Sequence, residues 1–271
     1  MELCGAILIN KPLGKTSHDM VYFVRRLLEI KRVGHTGTLD PQADGVLPVL
    51  VGTATKASDY MMNSDKEYIA KVQLGITTDT QDASGQVTAT HPVHVTEKGI
   101  IDAASQFVGE IDQVPPMYSA LKVDGQKLYS LARKGVEVER KARKVTVFSI
   151  ELYDIDLTAG TFCMKVSCSK GTYIRTLAGD IGEALGCGAH VLSLRRTKSA
   201  GFTLDQTYTL EQLLALKEAG KIESVIIPTA DLFRSTKKMI VSQTEAKKIK
   251  NGIPLPADGF SEEEQVRLFG P

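Results

Sequence analysis

The sequence lacks several features that would place it in a special class of protein. It has no apolar run approaching the ~20 residues that span a bilayer. Its first ten residues contain an acid, Glu2, and no basic residue, so a secretory signal is not expected. Internal repeats and low-complexity tracts are also absent. These absences predict a cytoplasmic protein without membrane spans.

Cysteine is too scarce to build a disulfide framework, because 271 residues contain four. Cys163 and Cys168 lie five positions apart in one predicted strand, so their side chains point to opposite faces and cannot easily share a metal. Cys187 and His190 could supply two zinc ligands, but no second pair with suitable spacing exists. The sequence therefore predicts buried thiols and no metal site.

An excess of charge of either sign is missing as well, since the formal net charge is +1. Hydrophobic residues make up 42% and charged residues 24%, which is typical of a globular protein. The distribution of charge is more informative. The segment 133–144 is rich in Lys and Arg, and Arg195, Arg196 and Lys198 form a second basic cluster. Such clusters can hold phosphates, although a solvated surface has the same composition.

The apolar patterns predict a mixture of helices and strands without regular alternation. A helix should begin at Thr16 or Ser17, because Asp19 suits its first turn and apolar residues follow at helical spacing through Leu28. The segments 33–48 and 77–85 are rich in turn-forming residues and are predicted as loops. We expect an α+β fold with a mixed, largely antiparallel sheet and flanking helices. The remaining predicted elements are strands at 5–10, 66–75, 144–154, 161–169 and 191–196, a hairpin turning at Asp124-Gly125 with arms at 120–123 and 127–131, and helices at 96–108, 173–185 and 210–217.

The most informative segment is 33–48, VGHTGTLDPQADGVLP. Its glycines allow close approach of backbone or ligand, and Pro41 restricts Asp40 to extended geometry. A carboxylate held in this way is well placed for chemistry. A simple turn, in which Asp40 accepts a hydrogen bond from a nearby backbone amide, would explain the same residues.

Residues 35–41, HTGTLDP, closely resemble the catalytic motif of the TruB family of pseudouridine synthases. Further blocks resemble other motifs of that family in the family's order, and the resemblance runs from about residue 5 to residue 235. These blocks are Asn10-Lys11-Pro12, Lys66-Glu67-Tyr68, Gly171 to Thr176 and Leu192 to Arg196.

The resemblance implies an isomerase that converts the T-psi-C uridine in the T loop of tRNA into pseudouridine. Asp40 would be the catalytic carboxylate, Arg175 would pair with it and keep it ionised, and Tyr68 would stack on the extruded uracil. The T stem-loop of tRNA is the implied partner. No cofactor, metal or obligate protein partner is implied, because the reaction needs no redox chemistry.

The resemblance also implies substrate contacts outside the catalytic group. Tyr173 would form a wall of the pocket, His35 would lie against T-loop nucleotides, and Leu194 would pack on the target base. Lys11, Lys56 and the segment 133–144 are the candidates for phosphate contacts. Taken singly, the tyrosines and Leu194 suit a core, Arg175 a helix surface and His35 a turn.

Two domains are expected, a catalytic domain at 1–235 and an RNA-binding module of the PUA type at 236–271 that looks incomplete. Two other functions fit parts of the sequence. A non-catalytic tRNA-binding or tRNA-folding protein could keep this scaffold. An aspartate-dependent hydrolase would need a second acid near Asp40, for which Asp44 is the local candidate. Gly14-Lys15-Thr16 is not a phosphate-binding loop, because Ile9 stands where that motif requires glycine.

Overall fold

The computed structural model describes residues 3–123, 125–234, 236–256, 259 and 266–270. Within those residues one large sheet carries helices on its faces. The helices are α1 (Ser17–Leu28), α2 (Ser58–Met62), α3 (Glu97–Ser105), α4 (Leu128–Ala132), α5 (Ile174–Ala184), α6 (Leu210–Glu218) and α7 (Gln243–Lys250). The strands are β1 (Gly5–Lys11), β2 (Val33–His35), β3 (Ala43–Val51), β4 (Lys66–Leu74), β5 (Ile76–Thr78), β6 (Val87–Thr90), β7 (Gly109–Gln113), β8 (Lys122–Val123), β9 (Gln126–Lys127), β10 (Arg143–Asp156), β11 (Thr161–Cys168), β12 (Ala189–Ser199), β13 (Phe202–Thr203), β14 (Ile227–Pro228), β15 (Lys237–Ile240) and β16 (Val266–Phe269).

The main sheet has the order β14-β1-β3-β12-β4-β11-β10-β7, with β13 paired to β12 and β2 paired to β3. Its pairs are antiparallel except for β3 and β12, which run parallel with Leu194 opposite Ala43. This register brings the start of β3 beside the middle of β12. The predicted α+β class with a largely antiparallel sheet is confirmed.

The core is divided between the two halves of the sheet. Helices α3 and α5 pack on β4, β10, β11 and β12. Helices α1 and α6 pack on one face of β1 and β3, and a third apolar cluster covers the opposite face of these strands. Tyr68 on β4 and Leu194 on β12 pack against both of the two larger clusters. These two side chains therefore mark the junction between the halves.

Three predictions of local structure were wrong. The segment 33–48 is not a single loop, because β2 and nine residues of β3 flank a shorter loop at 36–42. The segment 77–85 begins within β5, which pairs with β6. The predicted hairpin arm at 127–131 is instead mostly helix α4, whose Leu128 is buried. The hairpin itself is confirmed by the pairing of β8 with β9, although Asp124 lies outside the described residues.

The C-terminal part consists of a parallel pair, β15 and β16, with α7 between them in the chain. Strand β16 ends at Phe269, and Pro271 and residue 235 lie outside the described residues. Arg267 of β16 donates to the carbonyls of Ala230, Arg234 and Thr236. In the described part of the chain, no helix combines the length and apolar character needed to cross a membrane.

Candidate active site

The loop that carries Asp40 is fastened to the start of α1. The hydroxyl of buried Ser17 donates to the carbonyl of Leu39 at 3.1 Å and accepts from its N–H at 2.8 Å. The N–H of Gly14 donates to the carbonyl of Pro41 at 2.8 Å. Both neighbours of Asp40 are therefore fixed by residues of the segment that follows β1. The Asp40 side chain keeps 37% of its surface exposed.

A buried arginine holds the other side of this loop. Arg196 of β12 donates from Nε to the carbonyl of Val46 at 2.8 Å, and from its two terminal nitrogens to the carbonyls of Thr38 and Gly37 at 3.4 and 3.3 Å. The backbones are also in close contact, because a Cβ at Gly45 would lie 2.2 Å from the Arg196 carbonyl oxygen. Gly45 has a φ of 106°, which only glycine adopts readily.

The sequence left open whether the basic cluster containing Arg196 holds phosphates or is a solvated surface, and the burial of Arg196 is at odds with both for this residue. Its guanidinium is instead committed to loop carbonyls. The neighbouring Arg195 is exposed and forms a two-pronged ion pair with Asp44, with nitrogen–oxygen distances of 2.6 and 3.0 Å. Asp44 is therefore engaged with Arg195, which weakens its candidacy as the second acid of a hydrolase.

Arg175 lies directly beside Asp40, as the sequence predicted. Its Nη2 is 2.8 Å from Oδ2 of Asp40, and the arginine side chain is 5% exposed. The guanidinium also donates to the carbonyl of Thr80 at 2.7 Å and to the carbonyl of Tyr118 at 2.8 Å. A charged group with so many fixed partners presents one defined edge to the carboxylate.

The start of α5 is held in place by Gln113, the last residue of β7. Its amide donates to the carbonyl of Tyr173 at 3.0 Å and accepts from the Tyr173 N–H at 2.7 Å. No side chain caps this helix, because Tyr173 occupies the N-cap position. The two hydrogen bonds therefore fix the backbone two residues before Arg175.

Asp82 is a site residue that sequence reasoning missed. Its Oδ2 lies 3.8 Å from Nη1 of Arg175, whereas Asp40 contacts Nη2 of the same guanidinium. Its Oδ1 accepts from the Thr80 hydroxyl at 2.8 Å and from the Ser84 N–H at 2.9 Å. Turn-forming composition was the available signal, and it indicated a loop without showing that the loop contacts α5.

These residues surround one open cleft of about 220 Å³. Asp40, Asp82 and Arg175 form its charged side, and β12 contributes its apolar side through residues 191–194. Leu13, Gln42, Ala43, Ala83 and Ser84 complete the lining. The cleft thus combines an arginine-paired carboxylate with an apolar wall.

Comparison with known proteins identifies the family that has this arrangement. The model described as "TruB family pseudouridylate synthase (N terminal domain)" matches residues 25–174. The "tRNA pseudouridylate synthase B C-terminal domain" model matches residues 175–234. The chain belongs to the TruB family of pseudouridine synthases.

Individual relatives agree with this assignment. The tRNA pseudouridine synthase B of Clostridium kluyveri is 48% identical over 94% of this chain and 86% of its own length. That of Bacillus pumilus is 42% identical over 98% of this chain and 89% of its own length. Among solved structures, a Cbf5-Nop10-Gar1 complex matches with a TM-score of 0.77 and 30% identity, covering 98% of this chain and 74% of the other. The fold is therefore that of the pseudouridine synthases.

The two tyrosines assigned by resemblance to the TruB family both lie near Asp40. Tyr68 is half-buried, and burial raises the pKa of its phenol despite the opposing charge of Arg196. Burial also raises the pKa of Tyr173. Both phenols therefore remain neutral at neutral pH, and the charge of Asp40 acts on both.

His35 ends β2, just before the Asp40 loop, and its imidazole turns back on that loop. Its Nδ1 accepts from the N–H of Gly37 at 3.3 Å. Burial lowers the pKa of His35, and the charges of Arg196 and His18 lower it further. The imidazole is therefore neutral at neutral pH.

The two lysines predicted to contact phosphates differ sharply. Lys11 is fully buried, and its ammonium donates to the carbonyls of Pro12 and Lys15 at 2.9 and 2.6 Å. This burial is at odds with a phosphate contact, and it indicates that Lys11 shapes the segment after β1. Lys56 is exposed, as a phosphate contact requires.

The basic segment 133–144 is largely exposed. Arg140 pairs with Glu137 at 3.2 Å and Lys144 pairs with Glu110 at 2.6 Å.

The described residues contain no cluster of candidate metal ligands. Across the described residues, no three His, Cys, Asp or Glu side chains are placed to hold a metal ion. His190, one of the two zinc candidates, places its Nδ1 2.9 Å from the carbonyl of Ile76.

Proposed function

We propose that this chain is a tRNA pseudouridine synthase that isomerises the T-psi-C uridine of the T loop, with Asp40 as the catalytic carboxylate. The observation that carries the proposal is the 2.8 Å ion pair of Asp40 and Arg175 in a cleft with an apolar wall. Membership of the TruB family supports the reaction, and the relatives named tRNA pseudouridine synthase B support tRNA as the substrate. The position within the T loop rests on the resemblance of residues 35–41 to the family's catalytic motif.

The reaction is an internal rearrangement. The bond between N1 of uracil and C1′ of ribose breaks, the base turns, and C5 forms the new bond to C1′. The proton on C5 is lost and N1 gains one, so neither electrons nor atoms are exchanged with a cofactor. A carboxylate can serve as nucleophile or as base in this sequence, and both roles require its ionised form.

Arg175 suits the role of holding the Asp40 carboxylate in place. A guanidinium hydrogen-bonded to a carboxylate stabilises its negative charge and fixes its orientation. Because Arg175 is buried and bonded to the Thr80 and Tyr118 carbonyls, it cannot follow the carboxylate away from the cleft. The Asp40 oxygens are therefore held in one orientation toward the cleft.

The target base must leave the folded RNA loop to reach Asp40. Extrusion of a base costs about a few kcal/mol, and stacking on an aromatic ring returns ~1–3 kcal/mol per base. Leu194 lines the cleft, and Tyr68 lies with it at the junction of the two core halves, so both are candidates to contact an extruded uracil. Neutral His35 and the ring of Tyr173 extend this apolar surface toward the surrounding nucleotides.

The phosphate contacts are assigned to exposed cations. Lys56 and the segment 133–144 have the required exposure, whereas the ammonium of Lys11 is engaged by the segment that follows β1. Contacts of this kind position an RNA without reading its sequence. Specificity for the T loop would then come from the shape of the loop and from its extruded bases.

Tritium release tests the proposal directly. The substrate is tRNA labelled at C5 of uridine, because formation of the C5–C1′ bond expels the label. We expect release by the intact protein at a single T-loop uridine and none by Asp40→Asn. Asp59→Asn is the matched control, since Asp59 is an exposed acid on α2 and should leave release unchanged. Binding of tRNA without release would favour a non-catalytic tRNA-binding protein instead.

A further inference from the structure

Strand β12 contains an irregularity at the cleft. Val191 lies opposite Val72 of β4, and Ser193 lies opposite Lys71, so Leu192 has no partner between them. This is a β-bulge, which inserts one residue into a strand and redirects the local side chains. As a result, residues 191–194 all border the same cleft, whereas a regular strand presents alternate residues to opposite faces.

The bulged residue is an exposed leucine. Leu192 is 38% exposed, and Leu13, which borders the same cleft from the segment after β1, is 58% exposed. The segment around Leu13 is fixed by the hydrogen bond from the Gly14 N–H to the Pro41 carbonyl. A single exposed leucine on a surface needs no explanation. Here two exposed leucines on different elements border one catalytic cleft, and a bulge places one of them. This arrangement indicates a contact that forms with the substrate.

We propose that Leu13 and Leu192, the leucine rim, bind the face of the nucleobase next to the target uridine. The proposal rests on the proposed function, because it requires the target base to be extruded. Phosphates and ribose hydroxyls are strongly hydrated, so the ring faces of bases are the apolar surfaces that an RNA can offer. Extrusion of the target removes one stacking partner from each neighbour. The rim replaces that partner with aliphatic surface.

The rim also lies outside the place assigned to the target base itself. Leu194 packs against both core clusters and is buried more deeply than Leu192 in the same strand. Uracil next to Asp40 and Leu194 would leave Leu192 and Leu13 uncovered at the opening. A neighbouring base can cover them without displacing the target.

Leucine replacements combined with removal of single bases from the RNA form a thermodynamic cycle, which tests whether the leucine rim contacts a base. Leu13→Ser and Leu192→Ser are compared with the intact protein on three synthetic T-arm hairpins: unmodified, abasic on the 5′ side of the target, and abasic on the 3′ side. Leu157→Ser is the matched control, because Leu157 is 47% exposed in the turn after β10, away from the cleft lining. Fluorescence anisotropy gives Kd, and tritium release under saturating RNA gives kcat.

We expect each rim variant to weaken binding of the unmodified hairpin roughly 5- to 20-fold, the range that loss of part of one base contact produces. The kcat at saturation should stay within about twofold. On one of the two abasic hairpins the variants and the intact protein should bind equally well. Leu192→Met should restore affinity, and Leu157→Ser should change neither constant.

Two outcomes would overturn the proposal. Equal weakening on all three hairpins would mean that the leucines contact something other than a neighbouring base. Unchanged binding by both variants would mean that the rim does not contact RNA. Failure of the proposed function would look different, because tritium release would then be absent from the intact protein while the Kd cycle could still be measured.

Discussion

The guanidinium of Arg175 makes more contacts than an ion pair with Asp40 requires. Its other hydrogen bonds reach the Thr80 carbonyl and the Tyr118 carbonyl, and Oδ2 of Asp82 lies 3.8 Å from its Nη1. Three loops distant in sequence are therefore joined at one planar group. Lysine has the same charge but lacks the planar arrangement of donors, so it cannot maintain all these contacts together.

Replacement of Arg175 by lysine should therefore lower kcat much more than RNA affinity. We expect kcat to fall about 100-fold, as is common when one preorganised electrostatic group is lost from an active site. The Kd for tRNA should change by less than about threefold. Single-turnover tritium release and anisotropy measure the two constants.

The matched control for Arg175→Lys is Arg195→Lys. Arg195 pairs with Asp44 in an exposed position, and exposed ion pairs contribute only ~0–1 kcal/mol. A loss of kcat in this control as large as in Arg175→Lys would contradict a special role for Arg175.

At this scale the sequence predicted some residues and missed others for a clear reason. Resemblance to a family motif placed Asp40 and Arg175 correctly as neighbours. Asp82 and Ser17 were missed because their partners are distant in the chain, and composition does not encode such contacts. Lys11 was named as a candidate for phosphate contacts, but β1 is covered on both faces and its last residue, Lys11, is covered too. Lysine is rarely buried, so nothing in the sequence indicated this burial.

At the scale of elements, two adjacent residues at the start of α1 make different hydrogen bonds. Thr16 is the N-cap and forms a capping box with Asp19. Ser17 instead faces inward and holds the backbone of Leu39, next to Asp40. The Thr16 hydroxyl thus stabilises the helix end, and the Ser17 hydroxyl positions the loop that contains Asp40.

Ser17→Ala should lower both stability and kcat. The change leaves the buried N–H and carbonyl of Leu39 without a partner, at a cost of about 1–3 kcal/mol. Loosening of the loop should reduce kcat roughly tenfold while the Kd for tRNA stays nearly unchanged. Thermal unfolding and tritium release measure the two effects.

The control for Ser17→Ala is Thr16→Ala, which removes a helix cap worth ~0.5–2 kcal/mol without touching the loop. It should lower Tm by a similar amount and leave kcat near that of the intact protein. If both variants lose kcat in proportion to Tm, stability alone explains the effect of Ser17.

Helices and strands with a regular apolar pattern were predictable from the sequence. A strand whose apolar pattern is interrupted was not. The apolar stripe of α1 and the alternation in β4 gave the correct element types. Strand β3 was missed because Asp44, Gly45 and Pro48 interrupt its apolar run. Each has a structural reason that lies elsewhere in the chain, such as the contact of Gly45 with the Arg196 backbone.

For the whole molecule, the proposed domain boundary near residue 235 stays a prediction. The segment 237–270 contributes its own strand pair and helix, which fits a separate module. Arg267, however, crosses the boundary with hydrogen bonds to the carbonyls of Ala230 and Arg234. These hydrogen bonds connect β16 to residues that precede the proposed boundary.

At the scale of the whole molecule, several positively charged side chains are buried. Arg175, Arg196, Lys11 and Lys66 are all buried. Burial lowers the pKa of Lys11 and that of Lys66 to about 8 each, and the charge of Arg196 contributes to both shifts. Burial of these cations removes their hydration, and folding must overcome that cost.

This cost predicts how stability depends on pH. Unfolded Lys11 keeps its proton up to a pKa near 10.5, whereas the folded protein releases it above about pH 8. Between these values the unfolded state binds more protons, so deprotonation stabilises the folded state as pH rises. Relative to Lys11→Met, the intact protein should gain on the order of 2 kcal/mol of unfolding free energy between pH 7 and 9.5.

Urea unfolding of both proteins at the two pH values measures this difference, in which the titration of all other groups cancels. Lys56→Met is the control, because Lys56 is exposed and its replacement should shift the unfolding free energy equally at both pH values. A constant difference between the intact protein and Lys11→Met would show that folding does not disfavour the charge on Lys11. The carbonyls of Pro12 and Lys15 would then compensate the lost hydration fully, and the buried cations would carry no cost to folding at this position.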